Sequence, residues 1–203
     1  MGLDTLCQVI EPYVSNAANP IVDALAKEGI LRAARSLRAV VANGEDLCAR
    51  EDLAIASVLG GLCLANAKLG AVHGYAAVLG GMYETAPHGA ICAVLLPHVF
   101  RKNAEKLEAM ASAGDATARI RLRRFTDVAR IVTGLENATV WQGVTWLEIL
   151  VKDLSVPSLS KICPVTAEQI PLIAESTSGS SSTKGNPVLL TVQELEDILR
   201  KAF

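Results

Sequence analysis

Hydrophobic positions recur at three- and four-residue spacing along most of this chain, and that period predicts helices almost throughout. From residue 4, Leu6, Val9, Ile10, Tyr13 and Val14 mark one apolar stripe, broken at Ser15-Asn16 and Asn19-Pro20. Pro20 suits a first helical turn, where its missing N–H is not needed. Ile21, Ala24, Leu25, Ile30, Leu31, Ala34 and Leu37 carry a long amphipathic helix to residue 41, ended by Asn43-Gly44. A helix over 51–69 follows, with Ile55, Leu59, Leu62 and Ala65 toward the core. Its Gly60-Gly61 pair lets a neighbouring helix approach closely. Further helices are predicted over 73–79, 90–107, 115–133 and 139–154, with 83–89 a loop. Gly80-Gly81 ends or kinks the first of these, and Pro97 kinks the second or begins a new one. Thr166 with Gln169, and Thr191 with Glu194, have the spacing of capping boxes and open helices over 166–176 and 191–202. Residues 156–163 read as a connector, and 178–187 (SGSSSTKGNP) as a polar loop with no core signal. No strand-like alternation appears. The expected fold is all-α, a bundle of eight or nine helices, with residues 1–203 forming one domain.

Composition sharpens this picture. Hydrophobic residues make up 51% of the chain and aromatics only 4%, which suits close-packed helices with small residues at their crossings. The net charge of -2 leaves no basic face to neutralise phosphates, so nucleic acid is not an expected partner. The run Arg119, Arg121, Arg123 and Arg124 reads as a solvated helix face. Five scattered cysteines, none in a CxxC pair, read as reduced thiols, mostly buried as small hydrophobes. The N-terminal residues lack the basic region of a signal peptide, and the apolar stretches fall short of a membrane span. A soluble cytoplasmic protein, or an organellar one whose targeting sequence is missing, with no membrane partner, is the expectation. GxGxxG, P-loop, HExxH and GxSxG motifs are all absent. A nucleotide cofactor would therefore be held largely from outside this chain.

Chemistry concentrates in one stretch. All three histidines, His73, His88 and His98, fall between residues 70 and 98. Imidazole is the commonest metal ligand and the commonest acid/base group near neutral pH. His73 precedes a glycine at a helix start, and His88 sits in a rigid Pro-His-Gly turn. Asp4 is a further oxygen donor, with Gln8 and Glu11 close by. Asp4 and Gln8, four residues apart, share one helix face. An acid in a first turn also complements the helix dipole, so capping is the competing role for Asp4. Carboxylate and imidazole donors without thiolate suit Fe(II), Zn(II), Mn(II) or Co(II).

The segment VHGYAAVLGGMYETAPHGAICAVLLPHVFRKN, residues 72–103, closely resembles the signature of the iron-containing (group III) alcohol dehydrogenases. That pattern runs VHGMAHxLG, a short loop, PHG, a small-residue helix and LLPHVxxxN. GLDTLCQVIEPYVS at 2–15 is similar to the family's GxDALxHAIExYVS helix, and TKGNPVLLTVQELEDILRKAF at 183–203 to its GNP segment and final helix. The resemblance implies the family's C-terminal, all-α, metal-carrying domain without its α/β nucleotide-binding domain. The family's metal ligands, an Asp and three His, map onto Asp4, Gln8, His73 and His88. A further family histidine, near the nicotinamide and substrate, maps onto Ala77. Gln8 replaces imidazole by a weak neutral oxygen, and Ala77 cannot relay a proton. The loop between His73 and His88 is one residue longer than the family pattern. His98 matches the LLPH position without a ligand role, which suggests helix-end packing or capping.

By resemblance, the chain is expected to be part of an NAD(P)-dependent, metal-assisted alcohol dehydrogenase or aldehyde (or ketone) reductase. It would be inactive alone, with Fe(II) or Zn(II) on this domain and NAD(P) on another. The expected partners are a small alcohol or aldehyde substrate and either a second copy or a nucleotide-binding domain. The alternative is a non-catalytic helical interaction module, or a paralogue that has lost tight metal binding. A related metal-dependent lyase or glycerol-type dehydrogenase is a third reading.

Overall fold

Short polar side chains start the helices. In the computed structural model, which describes residues 2–203, Asn19 accepts from the Val22 N–H to open one helix and Asp46 from the Ala49 N–H to open the next. Each takes up one of the orphan donors of a first turn. The helices are α1 (Gly2–Val14), α2 (Pro20–Ala42), α3 (Leu47–Asn66), α4 (Ala71–Met82), α5 (His88–Ser112), α6 (Ala116–Thr133), α7 (Val140–Asp153), α8 (Leu159–Ile162), α9 (Ile170–Gly179) and α10 (Val192–Ala202). Two single 3₁₀ turns lie at Ala167–Gln169 and Thr183–Gly185. No strand occurs among the described residues. The all-α expectation holds, with ten helices rather than eight or nine because the connector at 156–163 contains the one-turn α8. Both expected capping boxes form, although Thr166 caps the 3₁₀ turn and α9 begins only at Ile170.

Helices α1, α2 and α3 pack together, and α5 lies among α1, α4, α6, α7 and α10. One apolar cluster runs through all of them, with Leu6, Ile10, Tyr75, Leu95 and Leu107 almost fully buried. Pro97 neither begins nor ends a helix. It sits inside α5, which runs unbroken from His88 to Ser112, with the proline buried in the core beside Leu96 and Val99. Gly80-Gly81 likewise lies within α4. Among the described residues no single helix is long and apolar enough to cross a membrane.

The face of α3 differs from the expected one. Its buried residues are Ala49, Asp52, Ala56, Gly60 and Cys63, while Leu62 and Ala65 are exposed. This helix is apolar on several sides, so periodicity did not single out one face. Close packing of small residues did. A Cβ on Gly60 would stand 3.1 Å from Gln8 Cβ of α1, and one on Gly29 of α2 would stand 2.6 Å from Val9 Cγ1.

Polarity at the α2–α3 crossing has a partner for each group. Asp52 accepts from Arg35 Nε and Nη2 (both 2.6 Å), Arg32 Nη1 (2.8 Å) and Ser36 Oγ (2.7 Å). The Arg35 guanidinium, aided by Ser36 and Arg32 and opposed by burial, holds the Asp52 carboxyl well below the usual carboxylate range. A depressed folded-state pKa contributes stability above the unfolded value of about 4, lost as pH falls through the folded value. Asp52→Asn is therefore expected to lower stability at neutral pH by about 2 kcal/mol, discounted because Arg35 is half exposed. Urea unfolding should show the variant and wild type converging as the pH drops below about 4; a gap that persists unchanged in acid would contradict this.

Two sequence expectations about surfaces need correction. The basic run of α6 is solvated only in part. Arg119 and Arg123 are exposed, but Arg124 bonds Asp23 and the Tyr13 carbonyl, and Arg121 donates to the Pro187 carbonyl at 2.7 Å. The polar segment 178–187 is not a surface loop throughout. Gly185, Asn186 and Pro187 are buried, and Asn186 joins a hydrogen-bonded network between α4 and α5. Short-range polarity hid this, because the partners lie 83 and 115 residues away.

Candidate metal centre

The site is built where the first turn of α1 meets the first turns of α4 and α5. Gly70, the residue before α4, has no side chain to cap it. Its first N–H groups are satisfied from elsewhere in the chain. Ala71 N–H donates to Asn186 Oδ1 (3.3 Å), Val72 N–H to Glu11 Oε1 (2.8 Å) and His73 N–H to Glu11 Oε2 (3.4 Å). A carboxylate at this end also complements the helix dipole. A Cβ at Gly70 would stand 2.7 Å from Glu11 Oε1, so a larger residue there would push this carboxylate aside.

The same carboxylate fixes the ring of His73. Its Nδ1 lies 2.6 Å from Glu11 Oε2, an acceptor, so Nδ1 carries the hydrogen and Nε2 turns the other way. Nε2 there meets Asp4 Oδ1 at 3.3 Å, and His88 Nε2 stands 3.8 Å from the same oxygen. Cys92, one turn beyond His88 on α5, brings Sγ to 3.5 Å from His88 Nε2. One donor atom from each of Asp4, His73, His88 and Cys92 lies within 4.8 Å of all the others, a grouping able to hold a metal ion. His73 is 6% exposed and the His88 side chain 50%, so the cluster is closed below and opens to the surface at His88.

The polar bookkeeping of this cluster is incomplete. Three buried side-chain polar atoms lack a hydrogen-bond partner among the described residues: Asp4 Oδ1, His73 Nε2 and Thr177 Oγ1. Two of the three face each other here. Buried polar atoms are almost always satisfied, and a metal ion between these two would satisfy both. The donor set therefore fits a divalent ion.

Charge favours a cation as well. Burial opposes ionisation of Asp4, yet the His73 and His88 rings outweigh it and hold the carboxyl below its usual value. Burial also opposes a charged His73, but the Asp4 and Glu11 carboxylates push its ring up to about 10. Burial drives the Cys7 thiol up. The hydrogen bonds from Cys7 and His88 hold the Cys92 thiol down against its own burial.

Three of the four expected site residues, Asp4, His73 and His88, thus come together. Gln8 lies beside them, donating its amide N–H to Asp4 Oδ2 at 3.2 Å. Ala77 is exposed one turn along α4 from His73 and brings no proton-bearing group. His98 stands apart. It is half-buried in the middle of α5, not at a helix end as expected, and burial lowers its pKa. The sequence reading missed Cys92 and the role of Glu11. Both carried a signal: Cys92 follows His88 by four residues, and Glu11 follows Asp4 by seven, each on the same helix face as its predecessor.

Comparison with known proteins places the chain in a family. A model of the Fe-containing alcohol dehydrogenase family, C-terminal, matches residues 1–203. The chain is 36% identical over 207 residues to the 1,3-propanediol dehydrogenase of Klebsiella pneumoniae, covering 100% of this chain and 50% of that protein. It is 32% identical over 208 residues to the lactaldehyde reductase of Escherichia coli (strain K12), with the same coverage of 100% and 50%. The solved alcohol dehydrogenase from Oenococcus oeni matches with a TM-score of 0.83 at 32% identity, over 100% of this chain and 50% of that one. The chain spans about half the length of the curated relatives it matches. Match, identity and helical architecture lead to one assignment: the chain belongs to the Fe-containing alcohol dehydrogenase family and carries its C-terminal domain.

Proposed function

We propose that residues 1–203 form the metal-binding helical domain of an NAD(P)-dependent alcohol dehydrogenase or aldehyde (or ketone) reductase. The observation that carries this reading is the pair of orphaned buried atoms, Asp4 Oδ1 and His73 Nε2, converging with His88 at the surface opening. Asp4, His73 and His88 hold a divalent ion, Fe(II) or Zn(II). When bound, that ion supplies a Lewis acid for the oxygen of an alcohol or carbonyl substrate. Glu11 fixes the His73 tautomer from behind, the arrangement that raises ligand basicity and sets ring orientation. Gln8 turns Asp4 so that Oδ1 faces the imidazoles. The half-exposed His88 marks the side from which substrate and nicotinamide approach, with NAD(P) held by a separate nucleotide-binding domain. The names of the relatives, a propanediol dehydrogenase and a lactaldehyde reductase, support small alcohols and aldehydes as substrates.

The test is metal-linked stability. An ion that binds only the folded chain stabilises it by about 2.7 kcal/mol at a hundredfold excess over its Kd. Urea unfolding of the wild type with Zn(II) or Fe(II) is expected to show that gain. His73→Ala and His88→Ala, each compared with its own metal-free form, are expected to lose it. An equal gain in the variants would place the ion elsewhere and sink the proposal.

A further inference from the structure

We propose that Cys92, and not Gln8, supplies the fourth protein donor of this centre, making it a tetrahedral carboxylate, bis-imidazole and thiolate site that prefers Zn(II) over Fe(II). The inference rests on the metal reading above and deepens it.

The spacing of the donors distinguishes coordination geometries. Bonds of about 2.0–2.1 Å to nitrogen or oxygen and about 2.3 Å to sulfur set tetrahedral neighbours about 3.3–3.6 Å apart. Octahedral bonds of about 2.1 Å set adjacent donors about 3.0 Å apart. The distances here are 3.3 Å for His73 Nε2 to Asp4 Oδ1, 3.5 Å for Cys92 Sγ to His88 Nε2 and 3.8 Å for His88 Nε2 to Asp4 Oδ1. The first two fall in the tetrahedral range and the third is wider than either geometry, so none matches the octahedral spacing. The His73 ring, 6% exposed, also aims into the cluster a nitrogen that makes no hydrogen bond and stands 3.3 Å from Asp4 Oδ1.

Gln8 points its oxygen away from the cluster. A carboxylate only accepts, so the amide end that meets Asp4 Oδ2 at 3.2 Å must be the NH₂. The oxygen is then turned toward α3, 3.3 Å from where a Cβ on Gly60 would stand. Gln8 orients Asp4 from outside the donor set. Cys92 occupies the remaining corner because a residue four positions after His88 faces the same way on α5. Its backbone is held from behind by Cys7 Sγ, which donates to the Cys92 carbonyl at 3.7 Å. On binding, the Cys92 thiol proton leaves to solvent and the sulfur bonds the ion as thiolate. A soft sulfur donor with tetrahedral geometry selects Zn(II) and tolerates Co(II), whereas Fe(II), Mn(II) and Mg(II) are served better by harder, higher-coordinate sites.

Co(II) reports the ligand directly. The experiment loads the 203-residue chain with Co(II) anaerobically, in a Cys48→Ser background that removes the exposed thiol. The expected result is an intense visible spectrum of a tetrahedral ion plus a near-ultraviolet thiolate-to-cobalt charge-transfer band. Cys92→Ser is expected to lose that band and weaken Zn(II) binding at least tenfold, narrowing the preference for Zn(II) over Fe(II). Gln8→Ala and Cys7→Ala are expected to keep the band. X-ray absorption on the Zn(II)-loaded chain with Cys92 intact needs no variant at that position, and is expected to show one sulfur at about 2.3 Å. Bound Co(II) without the band, a band that survives Cys92→Ser, or a Zn(II) shell without sulfur would overturn the Cys92 assignment and leave the metal reading standing. Absence of Co(II) and Zn(II) binding altogether would overturn both.

Discussion

Glu11→Ala is expected to destabilise the chain by about 4 kcal/mol, the largest single effect outside the hydrophobic core. Glu11 is 4% exposed and its two oxygens take hydrogen from the Val72 and His73 backbones and from the His73 ring. Alanine would leave these donors buried without partners, at about 1–3 kcal/mol each before relaxation. It would also remove the carboxylate that complements the N-terminal end of α4. Glu11→Gln separates structure from chemistry. The amide keeps one acceptor and most of the volume, so the fold should survive with a smaller loss. The His73 ring would lose its charged partner, and partners of this kind are worth about 10–100-fold in metal affinity. Urea unfolding of Glu11→Ala and Zn(II) titration of Glu11→Gln measure the two effects. Wild-type stability in the first, or wild-type affinity in the second, would show that Glu11 does not organise the site.

Asn186→Ala is expected to destabilise by about 3 kcal/mol. Every hydrogen-bonding atom of this buried amide is used. Oδ1 accepts from Ala71 N–H and Asn103 Nδ2, and Nδ2 donates to Asn103 Oδ1 (2.7 Å) and the Val188 carbonyl (2.7 Å). Asn103 is itself 3% exposed, so alanine at 186 strands a second buried amide. Replacing both, as Asn103→Ala with Asn186→Ala, should therefore lose clearly less than the sum of the two single changes. Additive losses in that double-mutant cycle would mean the two amides act independently. The network also sets the start of α4, so Asn186→Ala should weaken metal binding without touching a ligand.

The two predictions mark the boundary of what the sequence carried. Helix positions were legible because their periods and caps are local: the Thr191–Glu194 box forms as its spacing predicts. Asp4, His73 and His88 were identified from the residue types and family motif, and the fold brings them together. The face of α3 was not legible, because an apolar helix packed through Gly60 and Ala56 gives no single stripe. Asn186 was unreadable for a different reason. Its segment is as polar as any surface loop, and only contact with Asn103 and Ala71 shows that the polarity is spent internally. Cys92 lay between the two kinds. Its spacing from His88 is local and legible, but a cysteine with no CxxC partner carries no thiolate-site signature of its own.

Equilibrium dialysis against Zn(II) counts the ions held by a preformed metal site on this helical domain. One ion retained per wild-type chain, and none at that site in His73→Ala, is the expected result. A wild-type chain that remains folded yet retains no ion at millimolar free metal would contradict it.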